Sequence, residues 1–283
     1  MLKILIFLNC LGIVIILKIW LFFLVFQTNP EFEVAVFDVG QGDCFLIKLK
    51  NTTLQILIDA GDGSTQNLTE KLAKEMPLAD KTIDIIILTH PHQDHVGGIP
   101  SILEEFETNL IIETGVDFEN KTYDNFEEIV DLKQIPRLYA ARGEKILIGE
   151  NFVLEILHPF FSKSSQYKNV NDSSIVFLSK FKEKKALFTG DIELEGEKEM
   201  LDYLKSRQDL ELENIDLLKT AHHGSKTSTS KEFLDLIRPR QAIISCARKN
   251  SFNHPATETI QLLNYYQVEL KRTYQDGDII FKF

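Results

Sequence analysis

The stretch that decides the reading is IDIIILTHPHQDHVGG, residues 83–98. Its first seven residues are apolar, β-branched and uninterrupted by charge after Asp84. That pattern predicts a strand buried on both faces, as in a parallel or mixed sheet. Three of the chain's seven histidines then follow within six residues, in THPHQDH (89–95). Pro91 favours an extended backbone at His90, so His90 and His92, two apart, can point the same way. Asp94 and His95 turn into the next element and face elsewhere. Imidazole and carboxylate together suit zinc, manganese or iron. Four such side chains at one strand end are hard to bury without a cation. Gly97 and Gly98 remove bulk where a helix must start close to the site.

Outward from this stretch, short apolar runs at 32–38, 44–49 and 54–59 read as strands, and 66–76 and 97–106 as helices. Strands are expected at 109–114, 137–139, 145–149 and 152–157, then a hairpin of 175–181 with 186–191. Helices 193–206, 230–237 and 257–266 alternate with strands 215–221 and 241–247. The chain ends as a predicted hairpin around Asp276-Gly277. Strands come first as a meander, then alternate with helices, and the order repeats loosely in the second half. Two mixed sheets packed together with helices outside fit this order, with residues 30–283 as one domain.

The chain has 283 residues, 44% hydrophobic and 26% charged, with a formal charge of −11. No basic stripe marks a large nucleic-acid footprint. Three cysteines, Cys10, Cys44 and Cys246, exclude a disulfide framework and a Cys-rich zinc finger. Residues 4–26 are an apolar run broken by Lys18. As a helix it would measure about 34 Å, enough to span a bilayer core of about 30 Å. Its Leu, Ile, Phe and Val residues contribute about −5 to −11 kcal/mol on insertion scales, against about 2.5–3.5 kcal/mol for Lys18. We expect residues 1–29 to carry a single-pass membrane anchor, with a cleaved signal peptide and a secreted product as the alternative. Lys3 on one side and Glu31 and Glu33 on the other place the body outside the cytoplasm.

THPHQDH resembles the HxHxDH motif of the metallo-β-lactamase fold. VFDVGQGDCFLI (36–47), IDAGDG (58–63), LHP (157–159), NDSSIVFL (171–178), LFTGD (187–191), LLKTAHHGS (217–225), NHP (253–255) and RTYQDGDI (272–279) are similar to the ComEC/Rec2 branch of DNA-internalisation competence hydrolases. The resemblance runs over residues 34–283 and implies an α/β fold, the αββα sandwich. One apolar leader precedes it where the full competence protein carries a multi-helix channel. Hydrolase chemistry rather than DNA passage is therefore expected.

The resemblance implies two divalent ions, Zn²⁺ or Mn²⁺. His90 and His92 would hold the first, Asp94 and His95 the second, and Asp191 would bridge them. Read without the resemblance, Asp191 could instead cap the helix at 193–206. His222 is expected to close the second site, with His223 as the alternative. His223 would otherwise contact a phosphoryl oxygen that Ser225 helps to orient. The third ligand of the first site is expected to be His158, with Asp172 as the alternative, because residues 169–176 lack the histidine usual in the superfamily. Asp59 is expected to support the ligand histidines, Asp38 and Asp43 to lie beneath the metals, and Asn253 and His254 to meet the substrate. Asp94, His223 and His254 are the expected catalytic side chains.

The function implied is two-metal hydrolysis of a phosphodiester through a metal-bridging hydroxide, on a small substrate or a short or single-stranded nucleic acid. The alternatives are a cell-envelope phosphoester hydrolase resembling phosphorylcholine esterases, or a membrane-tethered binding protein with a relic site. β-Lactam hydrolysis ranks below these.

Overall fold

The computed structural model describes residues 32–49, 52–78, 80–160, 167–207 and 209–283. The expected anchor over residues 4–26 lies outside them. Among the described residues no helix is long and apolar enough to cross a membrane.

Two seven-stranded sheets face each other. The first begins with an antiparallel meander of β1 (Phe32–Val36), β2 (Phe45–Leu49) and β3 (Gln55–Ile58). It then runs parallel through β4 (Thr82–Ile87), β5 (Glu107–Glu113) and β6 (Arg137–Tyr139). The second repeats this plan. Its antiparallel strands are β7 (Lys145–Ile148), β8 (Phe152–His158), β9 (Val176–Phe181) and β10 (Lys184–Phe188). Its parallel strands are β11 (Leu217–Lys219), β12 (Gln241–Ile244) and β13 (Glu269–Arg272).

Burial follows from the strand period of two. In β4, Ile86, with Leu88 just beyond the strand, faces a cluster that includes helix residues, whereas Ile85 and Ile87 face the opposite sheet. Helices α1 (Leu68–Glu75), α2 (Gln93–Val96), α3 (Ile99–Glu105) and α4 (Lys121–Leu132) line the first sheet. Helices α5 (Leu194–Ser206), α6 (Lys231–Ile237) and α7 (Thr257–Tyr265) line the second. The order helix, sheet, sheet, helix is the expected sandwich.

Three details differ from the sequence reading. The chain end is not a hairpin. After the one-turn helix α8 (Thr273–Asp276), β14 (Ile279–Lys282) leaves the second sheet and pairs antiparallel with β1 in the first. The Asp-Gly pair marks a turn, but Phe281 and Ile279 gain burial between the sheets instead of beside β13. The helix expected after the glycines of 97–106 is present as α3, but a separate one-turn helix, α2, precedes it. Helix α2 starts at Gln93, before the glycines, and so carries Asp94 and His95. Helix α4 is an additional element, absent from the sequence expectation. Its signals were an Asn120 N-cap and apolar Tyr123, Phe126 and Val130 at helical spacing.

The expected role of Gly97 and Gly98 holds. A Cβ on Gly97 would lie 2.2 Å from the Asp62 carbonyl carbon, and one on Gly98 2.2 Å from the Ala60 oxygen.

Candidate functional site

The site lies where the parallel strands of both sheets end, as is usual for ligands in α/β folds. From the first sheet, the chain leaves β4 and passes through Thr89, whose amide and hydroxyl donate to the two oxygens of Asp59 at 2.8 and 2.7 Å. His92 stays extended and precedes α2, which carries Asp94 and His95 inward. Asp59 is fully buried and has φ of 54°, a conformation that costs energy in any residue but Gly and is tolerated best by Asn and Asp. His95 Nδ1 donates to Asp59 Oδ2 at 2.7 Å. This directs His95 Nε2 to the cleft, where it is buried with no hydrogen-bond partner among the described residues.

The second sheet supplies Asp191 and the two histidines after β11. Asp191 follows β10 in a turn where Gly190 has φ of 49° and packs so closely on Ser174 that a Cβ there would be 2.8 Å from Ser174 Cβ. The Asp191 amide donates to Ser174 Oγ. His222 and His223 have φ of 44° and 53°, two adjacent left-handed residues. This turn swings the His223 ring inward. Its Nδ1 donates to the Ser245 carbonyl at 2.8 Å, and its Nε2 lies 3.2 Å from Asp94 Oδ2 and 3.1 Å from Asp191 Oδ2. His95 Nε2 is 3.3 Å from the same Asp191 oxygen. Ligand atoms of Asp94, His95, Asp191 and His223 all lie within 4.8 Å of one another.

The two HHGS histidines thus stand opposite to expectation. His222 Nε2 is 3.9 Å from Asp191, and its Nδ1 lies 3.1 Å from Glu193 Oε1. His223, not His222, joins the cluster. His90 and His92 do face each other, Nε2 to Nδ1 at 3.1 Å, and His92 packs on Phe118.

The expected third ligands of that pair, His158 and Asp172, do not join the cluster of Asp94, His95, Asp191 and His223. His158 Nδ1 donates to the Ser174 carbonyl at 3.0 Å and its ring packs on Tyr167. Asp172 Oδ1 accepts from the amides of Glu193 and Gly196 at the start of α5. Asp172 therefore performs the helix capping offered above as the alternative role of Asp191.

Asp43 lies among the site residues, 3.5 Å from His223 Nδ1. Asp38 lies in the same loop but is spent on it, accepting from the Gly40 amide. The His254 ring meets that of His222 edge to face at 5.0 Å and lines a cavity of about 320 Å³ with Ser225 and Asn253.

One residue escaped the sequence reading. Lys219, on β11, is 1% exposed. Its ammonium donates to Asp191 Oδ1 at 3.1 Å and to the Gly190 carbonyl at 2.6 Å, and lies 2.6 Å from Asp43 Oδ2. The available signal was a lone charge inside the apolar strand LLKTA, which at full burial demands partners.

The buried charges set the protonation pattern. Burial disfavours charge on His95, but Asp191 and Asp59 outweigh it and hold the ring protonated well above the ordinary histidine value. Burial acts likewise on His223, where Asp191 and Asp43 prevail. Asp94 is pushed up by burial and pulled further down by the His223 hydrogen bond and the His95 charge, ending well below the carboxylate range. Asp191 is also depressed, burial being overcome by His223, Lys219 and His95. His90 is lowered by burial and by His95, so its imidazole is neutral, the form that ligates metals.

Two imidazoles, two carboxylates and an unpartnered buried Nε2 make a donor set that fits a divalent cation of the zinc or manganese type. A cation there would replace the protons of His95 and His223, so its binding would release protons.

A family model described as the metallo-beta-lactamase superfamily matches residues 37–248. The chain is similar to ComE operon protein 3 of Bacillus subtilis, 30% identical over 277 residues covering 90% of this chain and 33% of that protein. It is similar also to Recombination protein 2 of Haemophilus influenzae, 28% identical over 260 residues covering 90% of this chain and 29% of that protein. The chain thus spans about a third of the length of these relatives. Among solved structures it resembles Igni18, described as a metallo hydrolase from the archaeon Ignicoccus hospitalis. The TM-score is 0.54 at 16% identity, over 89% of this chain and 99% of that one. At that identity the likeness speaks for the fold.

Proposed function

The chain belongs to the metallo-β-lactamase superfamily, in the competence ComEC/Rec2 branch, and on that premise we propose that it is a metal-dependent phosphodiesterase. The observation that carries the reading is the convergence of Asp94, His95, Asp191 and His223 from two sheets onto one point. These four would hold one divalent ion, and His90 and His92, with Asp191 between, a second. When bound, such ions supply water of lowered pKa and neutralise charge that builds on phosphoryl oxygens.

The chain's own groups prepare that chemistry. Asp59 and the Ser245 carbonyl fix the ring orientations of His95 and His223. Lys219 holds one oxygen of Asp191 and leaves the other facing the cleft. His254, pushed down to about 4 by burial and by His222, is neutral at pH 7. In that form it can accept a hydrogen bond from an incoming hydroxyl, and a proton taken up from that hydroxyl can then pass to a leaving alkoxide. Phosphodiesters rank first because competence relatives share the motifs and because charge neutralisation at one point suits a monoanionic phosphoryl group.

The test is metal analysis of the full chain alongside a panel of phosphodiesters, with Asp94→Ala and His95→Ala as controls. Wild type should carry divalent metal and cleave at least one diester, and both variants should lose metal and rate together. Metal-loaded wild type that cleaves nothing the variants spare overturns the reading. The membrane anchor over residues 4–26 is part of the same proposal. Digestion of the body by protease on intact cells supports its placement outside the cytoplasm, and digestion only after lysis overturns that placement.

A further inference from the structure

We propose that the site is flanked by two ring-headed cavities that seat the end of a single-stranded nucleic acid, with the base inside the chain stacked on Phe252 and the terminal nucleoside beside Phe118. This deepens the phosphodiesterase reading and rests on it.

A row of rings crosses the cleft. Phe118 packs on His92 at 5.2 Å, His92 on His90 at 4.7 Å and His90 on His95 at 4.1 Å. The row continues to His223 at 5.4 Å, His254 at 6.3 Å and Phe252 at 5.7 Å, the last pair stacked at 27°. The metal-ligand candidates therefore lie between two phenyl rings. A phosphodiester has two substituents, and each side offers one a ring and a cavity.

Phe252 is 59% exposed, where a large apolar side chain gains little from folding. Its loop is nonetheless held. The Asn250 amide donates to the carbonyls of Ala247 and His254 at 3.0 and 2.7 Å, and its oxygen accepts from the amides of Phe252 and His254 at 3.1 and 3.0 Å. An exposed ring fixed in place is pre-organised for a flat partner, which reduces the entropy lost on binding. Bases stack on such rings with about 1–3 kcal/mol each, without regard to sequence.

The two cavities differ in charge. That of about 320 Å³ at Phe252 carries Lys226 and Glu258, with exposed Lys249 nearby in the same loop. That of about 380 Å³ at Phe118 carries Glu113, Asp117, Glu119, Asp124 and Glu127. Its one cation, Arg137, is already paired with Glu113, Glu127 and Asp131. A further phosphate would be repelled there, whereas an uncharged nucleoside would not. The rest of the strand must then leave on the Phe252 side, so the substrate needs a free end.

The experiment uses the full chain with Mn²⁺ and a fluorescent single-stranded phosphorothioate hexamer, which slows turnover so that binding is read by anisotropy. Phe252→Ala should weaken binding about 5- to 150-fold, and Phe252→Trp should restore it. A hexamer with abasic sites should bind weakly and equally to wild type and Phe252→Ala. With ordinary phosphodiester linkages, linear strands should be cut and circular strands of the same sequence spared. Wild-type binding by Phe252→Ala, or no binding by wild type, overturns the platform. Equal cutting of circles overturns the end preference. Phe252-dependent binding with no cleavage of any diester removes the hydrolase reading instead and leaves the platform standing.

Discussion

On one side of the cleft, His95 and His223 each have a group behind the ring. Asp59 accepts from His95 at 2.7 Å and the Ser245 carbonyl from His223 at 2.8 Å. On the other side, His90 reaches the Asp59 carboxylate only through the Thr89 hydroxyl, at 3.2 Å, and His92 leans on His90 and Phe118. The first corner has four converging donors; at the second, among the described residues, two imidazoles face each other outside that group of four. The difference shows how a buried polar site is made rigid. A ring is fixed when its outer nitrogen has a committed acceptor, and such acceptors are buried carboxylates that need cations in turn. Lys219 meets that need at the built corner.

The largest expected effect is therefore at Lys219. Lys219→Met keeps most of the volume and removes the charge, leaving Asp43 and Asp191 buried with one cation fewer. Removing one partner of a buried ion pair costs about 3–5 kcal/mol. Urea unfolding of the metal-free chain should show a loss of this size. Adding Asp43→Asn to Lys219→Met should recover part of it. A Lys219→Met protein as stable as wild type would show that the built corner does not depend on the buried cation.

The next effect tests His158, expected from sequence at the weaker corner. Burial lowers its pKa from the ordinary histidine value of 6.5 to about 4, despite the hydrogen bond to Ser174. The folded pKa lies below the unfolded one, so protonation favours unfolding. The stability at issue is present above pH 6.5 and is lost as pH falls through that value toward 4, up to roughly 3 kcal/mol. His158→Gln should flatten the stability profile over that window and leave divalent-metal affinity unchanged. Loss of metal with His158→Gln would restore it as the third ligand and erase the contrast between the corners.

How much of this was legible in the sequence depends on whether the cause was local. The strand at 83–89, the ligand run after it and the helix-starting glycines are local, and they stand where the sequence places them. Asp191 was identified through the resemblance of its TGD turn. The exchange of His222 and His223 was not legible, because it comes from two successive left-handed residues that spacing does not announce. Lys219 and Asp43 are far apart in sequence and meet only because the two sheets face each other. The final strand was misread for the same kind of reason: the turn signal at Asp276-Gly277 is real, but the interior between the sheets decides which sheet the strand joins.

The smallest effect separates the corners directly. Asp59→Asn keeps the shape and suits the left-handed backbone at this position, where φ is 54°. It removes the negative charge behind His95 and weakens the acceptor that fixes the ring. Groups of this kind, one step behind a metal ligand, typically change affinity about 10- to 100-fold. Thr89→Val removes the hydroxyl that links His90 to the same carboxylate but leaves the direct His95 bond intact. Isothermal titration with Zn²⁺ or Mn²⁺ should show the large loss for Asp59→Asn in the tighter binding phase. The smaller loss, for Thr89→Val, should fall in the weaker phase. If Thr89→Val proved the more damaging of the two, the hydroxyl rather than the carboxylate would be the feature that orders the site, and His90 rather than His95 its best-held ring.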